Sequence, residues 1–344
     1  MDLNMDLDYN SDKLDKKSFD NYLLQMEDIT LPFTPLDDNY GVCVQQGLVT
    51  SVTEVPENDE KTVHLDTGET IVCDYVVLAP GIEFIDIPGL KDGDTNNFDI
   101  FPHAWIAGPQ TELLRDQLQT MQQGDTFVMT VPQSPYRCPP GPYERACVVA
   151  DYIKRILDGD GQVIVLDPHS EITIEKEIFE QAFNGIYGGI ITYMPYATLN
   201  SVEINPITGV KVAKTSVGDF SGKVLNVIPT HQAAKIVDDL GLLPIGARFA
   251  PVIAASYEST ERPGFYVIGD SNSSSQPKSG HMANSQAKVC ADAIIREIAS
   301  KSSTTDFVLD PARLAKIRTN SACYSPITYD QASWLTAVFA YETT

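Results

Sequence analysis

The chain has 344 residues, with 47 Asp and Glu against 24 Lys and Arg, a formal net charge of −23 and 43% hydrophobic residues. That composition is globular, and the length allows two or three domains with cores of their own. So negative a surface repels nucleic acid and anionic lipid and attracts a basic protein partner. No charge-free apolar run reaches the roughly 18 residues of a membrane span, and six Cys are too few for a disulfide-stapled fold.

Residues 1–40 hold ten acids and three bases and keep neither a helical nor a strand period. They are expected to form an acidic tail without stable structure, with a helical turn or two at Phe19 to Met26. No positive stretch followed by an apolar core is read there, so no secretory signal. From Gly41 the segments GVCVQQGLVTSV, KTVHLDTGETIVCD and YVVLAPG read as strands of a β-meander. The last, Tyr75 to Ala79, reads as a continuous buried run ended by Pro80-Gly81. The period then changes. TELLRDQLQTMQQG (111–124) sets Leu113, Leu114, Leu118 and Met121 on one helical face, and TFVMTV (126–131) is a strand. PGPYERACVVADYIKRILDG sets Ala146, Val149, Ile153 and Ile156 on a second helical face, and QVIVLD (162–167) is a further strand. Residues 170–223 are less legible. The alternation resumes with a strand in VLNVIP (224–229), a helix in HQAAKIVDDLGL (231–242), a strand in FYVIGD (265–270) and a long helix from about Met282 to Ile298. Alternating strands and helices predict βαβ units and a parallel sheet covered on both sides.

In such a sheet the residues just after each strand meet the ligand. Gly81 ends one strand, either as a turn glycine or because its backbone passes close to something. Asp270 ends another, as a carboxylate for ligand hydroxyls or as a loop acid. The helix after it is entered through Lys278-Ser279-Gly280 and offers free N–H groups and a positive dipole to an anionic ring edge. The turn SPYRCPPGPYERA stands where a nucleotide-binding βαβ unit carries G-x-G-x-x-G. Its prolines remove donors, so this domain is not expected to hold NAD(P)H. Pro142 suits a first helical position. Cys138, just before it and beside Arg137, is expected to have a lowered pKa and to be reactive, the alternative being a buried loop cysteine. Cys323, in NSACYSP, lies among small polar residues. Cys43, Cys73, Cys147 and Cys290 lie within strand or helix patterns and read as core. No metal site is assigned.

The segments APGIE (79–83), PHAW (102–105), CPPGPYERA (138–146), VIGD (267–270), PKSG with ANSQAKV (277–289) and ACYS (322–325) resemble, in order and spacing from about residue 40 to 341, the flavoprotein subunit of flavocytochrome c sulfide dehydrogenase. The resemblance implies a glutathione-reductase-like α/β flavoprotein with two dinucleotide-type domains, Rossmann-type parallel sheets and a β-meander. The divisions would be a tail (1–40), a partial FAD domain (41–118), an NAD-domain-like unit (119–230), the returning FAD part (231–300) and the start of a C-terminal interface region (301–344). It also implies FAD as cofactor, contacted by Pro80, Gly81, Gly269, Asp270, Lys278, Ser279, Gly280 and Asn284. Cys138 and Cys323 would form a redox disulfide, with Glu144 as proton carrier beside it; the bland reading of Glu144 is a first-turn acid complementing the helix dipole. Sulfide would be the substrate and a c-type cytochrome subunit the electron acceptor. Since this chain has no C-x-x-C-H, any haem belongs to that partner. The family setting is periplasmic.

Family members begin with a strand, a glycine-rich turn and a helix that hold the FAD pyrophosphate, and that pattern is not found in residues 1–40. The chain therefore reads as N-terminally incomplete and ends early in the C-terminal region. The chain alone is expected to bind FAD weakly or not at all. Two other readings stay open: a flavin disulfide oxidoreductase of the sulfide:quinone or NADH:quinone type, for which no apolar C-terminal membrane patch is read, and a non-catalytic paralogue.

Overall fold

A computed structural model describes residues 30–55, 60–301, 313 and 316–341. The expected turns at Phe19 to Met26 lie outside these. Within the expected tail, α1 (Thr34–Tyr40) is helical, with Pro35 in its first turn, Gly41 in the left-handed conformation at its end and no buried residue. The meander is β1 (Val49–Val55), β2 (Glu60–Leu65) and β3 (Thr70–Cys73), paired antiparallel in that order. Its first strand begins at Val49, eight residues later than Gly41, so Cys43 is an exposed loop residue and Cys73 is half-buried; only Cys147 and Cys290 are core. β4 (Val76–Leu78) leads into β5 (Ile82–Phe84). β4 is not the continuous buried run expected. Leu78 is buried, but Val77, pointing to the opposite face of this edge strand, is 45% exposed.

α2 (Pro109–Gln119) precedes the best-covered part of the molecule. There β6 (Thr126–Thr130), α3 (Gly141–Ile156), β7 (Gln162–Leu166), α4 (Lys176–Gln181) and β8 (Ile191–Met194) follow one another. The sheet is completed by β12 (Val224–Asn226), after an antiparallel sheet of β9 (Leu199–Ile204), β10 (Lys211–Thr215) and β11 (Gly218–Gly222). The strand order is β8-β7-β6-β12, all parallel. Phe127, Met129, Val163 and Val165 meet Ala146, Val149 and Ile153 of α3 on one face. Val128, Leu166 and Leu225 meet Val202 of β9 and Ala213 of β10 on the other. Cover on both faces is why TFVMT is apolar without alternation. The illegible stretch after residue 170 holds β8 and the antiparallel sheet that supplies the second cover.

β13 (His231–Ala233) pairs antiparallel with β5, and α5 is confined to Lys235–Asp239. The helix expected from residue 231 is therefore a strand for its first three positions, where His231 and Ala233 alternate into the core. A second sheet has the order β14 (Val252–Ile253), β15 (Glu258–Ser259), β16 (Phe265–Val267), β4, with β16 and β4 parallel. α6 (Gly280–Lys301) packs on it. The chain closes in a hairpin of β17 (Arg318–Pro326) and β18 (Ala332–Ala340). No described helix is long and apolar enough to cross a membrane. The outward side of the hairpin carries exposed apolar groups among polar ones: Tyr324 and Trp334 stack there at 6.3 Å, with Val338 further along, all more than 60% exposed, beside the exposed Asn320 and Thr336.

Candidate functional site

The loop from β6 to α3 carries Cys138 in the left-handed region, at φ +55°. A non-glycine residue held there costs about 1–3 kcal/mol and persists only where its surroundings over-determine it. They do: Cys138 N donates to Lys278 O at 2.8 Å, Gly141 N donates to Cys138 O at 2.9 Å, and Trp105 Nε1 donates to Arg137 O at 3.2 Å. Gly141 is required for space, since an added Cβ would lie 2.6 Å from Trp105 Cη2 and 3.0 Å from Cys138 Sγ. Tyr143 N and Glu144 N donate to Pro140 O. With Pro142 lacking an N–H, the first N–H groups of α3 are thus consumed inside the loop.

Cys323 reaches this loop through strand alternation. Ser321, Cys323 and Ser325 face one side of β17. Ser321 Oγ lies 3.0 Å from Ser279 Oγ, and Ser325 Oγ lies 2.9 Å from Glu144 Oε1. Cys323 is therefore held between the start of α6 and the first turn of α3, where its charge and that of Glu144 both act on Cys138. Both cysteines are free thiols in this structure. A cleft of about 390 Å³ opens beside them, lined by Trp105, Arg137, Cys138, Glu144, Arg145 and Pro326 among others.

The expected lowering of the Cys138 pKa does not occur. Burial pushes its thiol up to about 12, the nearby Glu144 and Cys323 charges add to this, and the Gly141 N–H and Arg137 oppose it without prevailing. Cys323 is also raised, first by burial, then by Glu144 and Glu175 against a bond from Ser321. Glu144 itself is raised by burial and by Glu175, against Ser325 and Arg145.

The residues expected at a cofactor form a second group, joined to the first. Gly81 and Gly269 have φ +77° and +72°. A Cβ on Gly81 meets no protein atom within 4 Å, so the positive φ, and not a close protein neighbour, asks for glycine. Ser271 Oγ donates to Gly81 O, and the preceding Pro80 is exposed. Asp270 Oδ2 pairs with Arg137 Nε at 3.5 Å, while its buried Oδ1 has no hydrogen-bond partner. Burial raises the Asp270 carboxyl against Arg137 and Lys278. Lys278 is buried, its Nζ donates to Asp270 O and Asn272 O and lies 3.6 Å from the centre of the Phe249 ring, and burial lowers its pKa to about 8. Ser279 Oγ accepts from Met282 N and so caps α6, which starts at the exposed Gly280. Asn284 lies exposed on α6.

Four positions that hold the site's elements together were not singled out in the sequence. Arg145 reaches from α3 to His103 O, Ala104 O and Asn226 Oδ1, and its guanidinium stacks over Trp105, joining the PHAW and CPPGPYERA segments. Gln286 accepts from Gly269 N and Asn272 Nδ2, tying α6 to the turn after β16. His231, fully buried, accepts from Arg137 N at 3.0 Å, and its Nε2 has no partner. Asp167, at the end of β7, is fully buried and accepts from Tyr143 Oη, Tyr193 Oη and His169 N. A polar residue at the end of a continuous apolar strand, as in QVIVLD, is the signal that marks such an acid. Among the described residues no group of side chains could hold a metal ion.

Residues 111–229 match the family described as the sulfide dehydrogenase (flavocytochrome c) flavoprotein chain, central region, in keeping with the resemblance read from the sequence. The fold is similar to that of the sulfide:quinone oxidoreductase of the hyperthermophilic bacterium Aquifex aeolicus, with a TM-score of 0.65, 14% identity, and coverage of 92% of this chain and 75% of that one. A chain of the Tetrahymena thermophila mitochondrial ATP synthase aligns with a TM-score of 0.60, 15% identity, and coverage of 84% and 69%. Lactococcus lactis thioredoxin reductase aligns with a TM-score of 0.54, 15% identity, and coverage of 77% and 78%. The expected flavoprotein-type α/β fold with parallel sheets is thus the fold this chain has.

Proposed function

We propose that this chain is a sulfide-oxidising, FAD-dependent oxidoreductase in which Cys138 and Cys323 are the redox pair and Glu144 carries the proton. The observation that carries this reading is that Cys323, from the far end of the chain, is held by the Ser325–Glu144 and Ser321–Ser279 contacts against the Cys138–Glu144 segment, beside a cleft that Cys138 and Glu144 line, while Arg137 and Lys278 link that loop to Asp270. The residues present fit the proposed cofactor. Gly81 leaves open space where a Cβ would stand, and the unpartnered Asp270 Oδ1 and the buried Lys278 suit a ligand with hydroxyls and a ring that takes up negative charge. FAD, when bound, supplies a two-electron acceptor able to release electrons singly.

In the oxidised pair, hydrosulfide attacks one sulfur and the S–S bond breaks. The attacked sulfur becomes a persulfide and the other leaves as a thiolate. Burial makes a thiolate costly here, so a proton must move with it. Glu144, its carboxyl raised by burial beside both sulfurs, is matched to that transfer. NADH is not the reductant in this reading. The first N–H groups of α3 are bonded within the proline loop, and the Asp167 oxygens face tyrosine hydroxyls. The acceptor is a c-type cytochrome, drawn by the acidic surface, in a periplasmic setting. A quinone is the second reading, favoured by the exposed Tyr324, Trp334 and Val338 on the outward side of the β17–β18 hairpin.

The test is anaerobic sulfide addition to the FAD-loaded chain. The flavin absorbance should bleach, Cys138→Ser should abolish bleaching, and Glu144→Gln should slow it roughly 100-fold. Unchanged bleaching in Cys138→Ser would overturn the assignment.

A further inference from the structure

Ser325 is fully buried, and its Oγ lies 2.9 Å from Glu144 Oε1 and 2.9 Å from Glu175 Oε2. A hydroxyl has one proton to donate. If both carboxyls were ionised, one of these contacts would set an anionic oxygen against a lone pair with no hydrogen between. Both contacts are hydrogen bonds only when one carboxyl brings a proton of its own. The rest of the arrangement holds that geometry in place. Ser333, the register partner of Ser325 across the hairpin, donates to the other oxygen of Glu175 at 2.6 Å. Glu175 sits at φ +49°, a left-handed conformation that a residue of this kind adopts only under constraint.

We propose that Glu144, Ser325 and Glu175 form one relay that holds a single shared proton, with Glu175 as the positioning residue between the thiol pair and solvent. The proton-carrying role rests on the sulfide-oxidation reading; the shared proton rests on the contacts alone. Transfer along the relay balances without a redox partner. Glu144 gives its proton to Ser325 Oγ while Ser325 gives its own to Glu175, so one O–H bond breaks and one forms at each step. Glu144 is left as the base that takes the next thiol proton. Both Glu175 and Ser333 are partly exposed, which gives the proton an exit. The other titratable groups acting on Glu144 and the thiols include Tyr136, Arg137 and Cys138 from the loop, Arg145 and Cys147 from α3, and Cys323 from β17.

The experiment is infrared spectroscopy of the purified, reduced chain across pH, with no flavin or sulfide added. A protonated-carboxyl C=O band should persist at neutral pH. It should be lost in Glu175→Gln, where the side-chain amide donates to Ser325 and frees Glu144 to ionise, and lost in Glu144→Gln. Ser325→Ala should move its titration, and Ser325→Thr should restore it. Absence of the band in the parent, or its survival unchanged in folded Glu175→Gln, would overturn the relay. If the band behaves as stated while sulfide fails to bleach the loaded chain, the functional reading fails and the shared proton stands.

Discussion

Two aspartates end parallel strands in this molecule, and their surroundings are opposite. Asp167, after β7, has its oxygens occupied by Tyr143, Tyr193 and the His169 backbone. Asp270, after β16, is also largely buried, yet one oxygen has no protein partner. The sheets around them differ in the same sense. The β6–β7 sheet is covered on both faces, whereas the β16–β4 pair leaves Val77 exposed on one face of its edge strand. The contrast shows that one strand-end acid is committed to holding Tyr143, Tyr193 and the chain at His169, while the other keeps one oxygen that no protein group meets.

The comparison breaks most readily at Asp167. Replacing it with Ala leaves buried donors from two tyrosines and the His169 backbone without an acceptor, each costing about 1–3 kcal/mol, so a total loss of at least about 3 kcal/mol is expected in denaturant unfolding. A loss under about 1 kcal/mol would mean that the acid is not structurally committed. The two sheets are compared directly by Val128→Ala and Val77→Ala. The first removes fully buried methyl groups and should cost about 2–3 kcal/mol; the second should stay within about 0.5 kcal/mol. Equal effects would contradict the difference in cover. Gly141→Ala, which must displace Trp105 or Cys138, should cost about 1–3 kcal/mol and change Cys138 alkylation, a readout that a mere surface loop would not show.

A further effect lies in pH. His103 and His231 are pushed down by burial to about 4 and about 3, with Arg145 adding to the effect at His103 and Arg137 at His231. The unfolded chain binds protons that the folded one refuses, so stability is full above the ordinary histidine range, near 6.5, and falls as pH drops toward those values. The slope is at most about 1.4 kcal/mol per pH unit for each histidine. His231→Asn, which keeps an acceptor for Arg137 N, should flatten this acid limb; an unchanged slope would count against a neutral, buried His231.

Legibility in the sequence followed how local the cause was. β6, α3 and β7 were readable because their apolar residues repeat with the period of the element that buries them, and Pro142 marks the helix start. β13 was not, since HQA becomes a strand only by pairing with β5, a long-range partner that outweighs the helical pattern after it. The candidate site divided in the same way. Motifs named Cys138, Cys323, Glu144 and Asp270, but the sign of the Cys138 shift depended on burial under Trp105 and β17, which no neighbour in sequence reports. Arg137 and the helix end were visible and pointed the other way. Arg145, Gln286, Asp167 and His231 act through backbone groups and side chains far along the chain, so their roles emerged only with the fold.

The central claim is that Cys138 and Cys323 act as one pair, and peptide mapping tests it most directly. The folded chain is oxidised, its free thiols are blocked, and it is digested without reduction. A single cross-linked peptide joining the CPPGPYERA and NSACYSP segments is the predicted result; recovery of Cys138 and Cys323 as separately blocked thiols from folded, oxidised protein would contradict it.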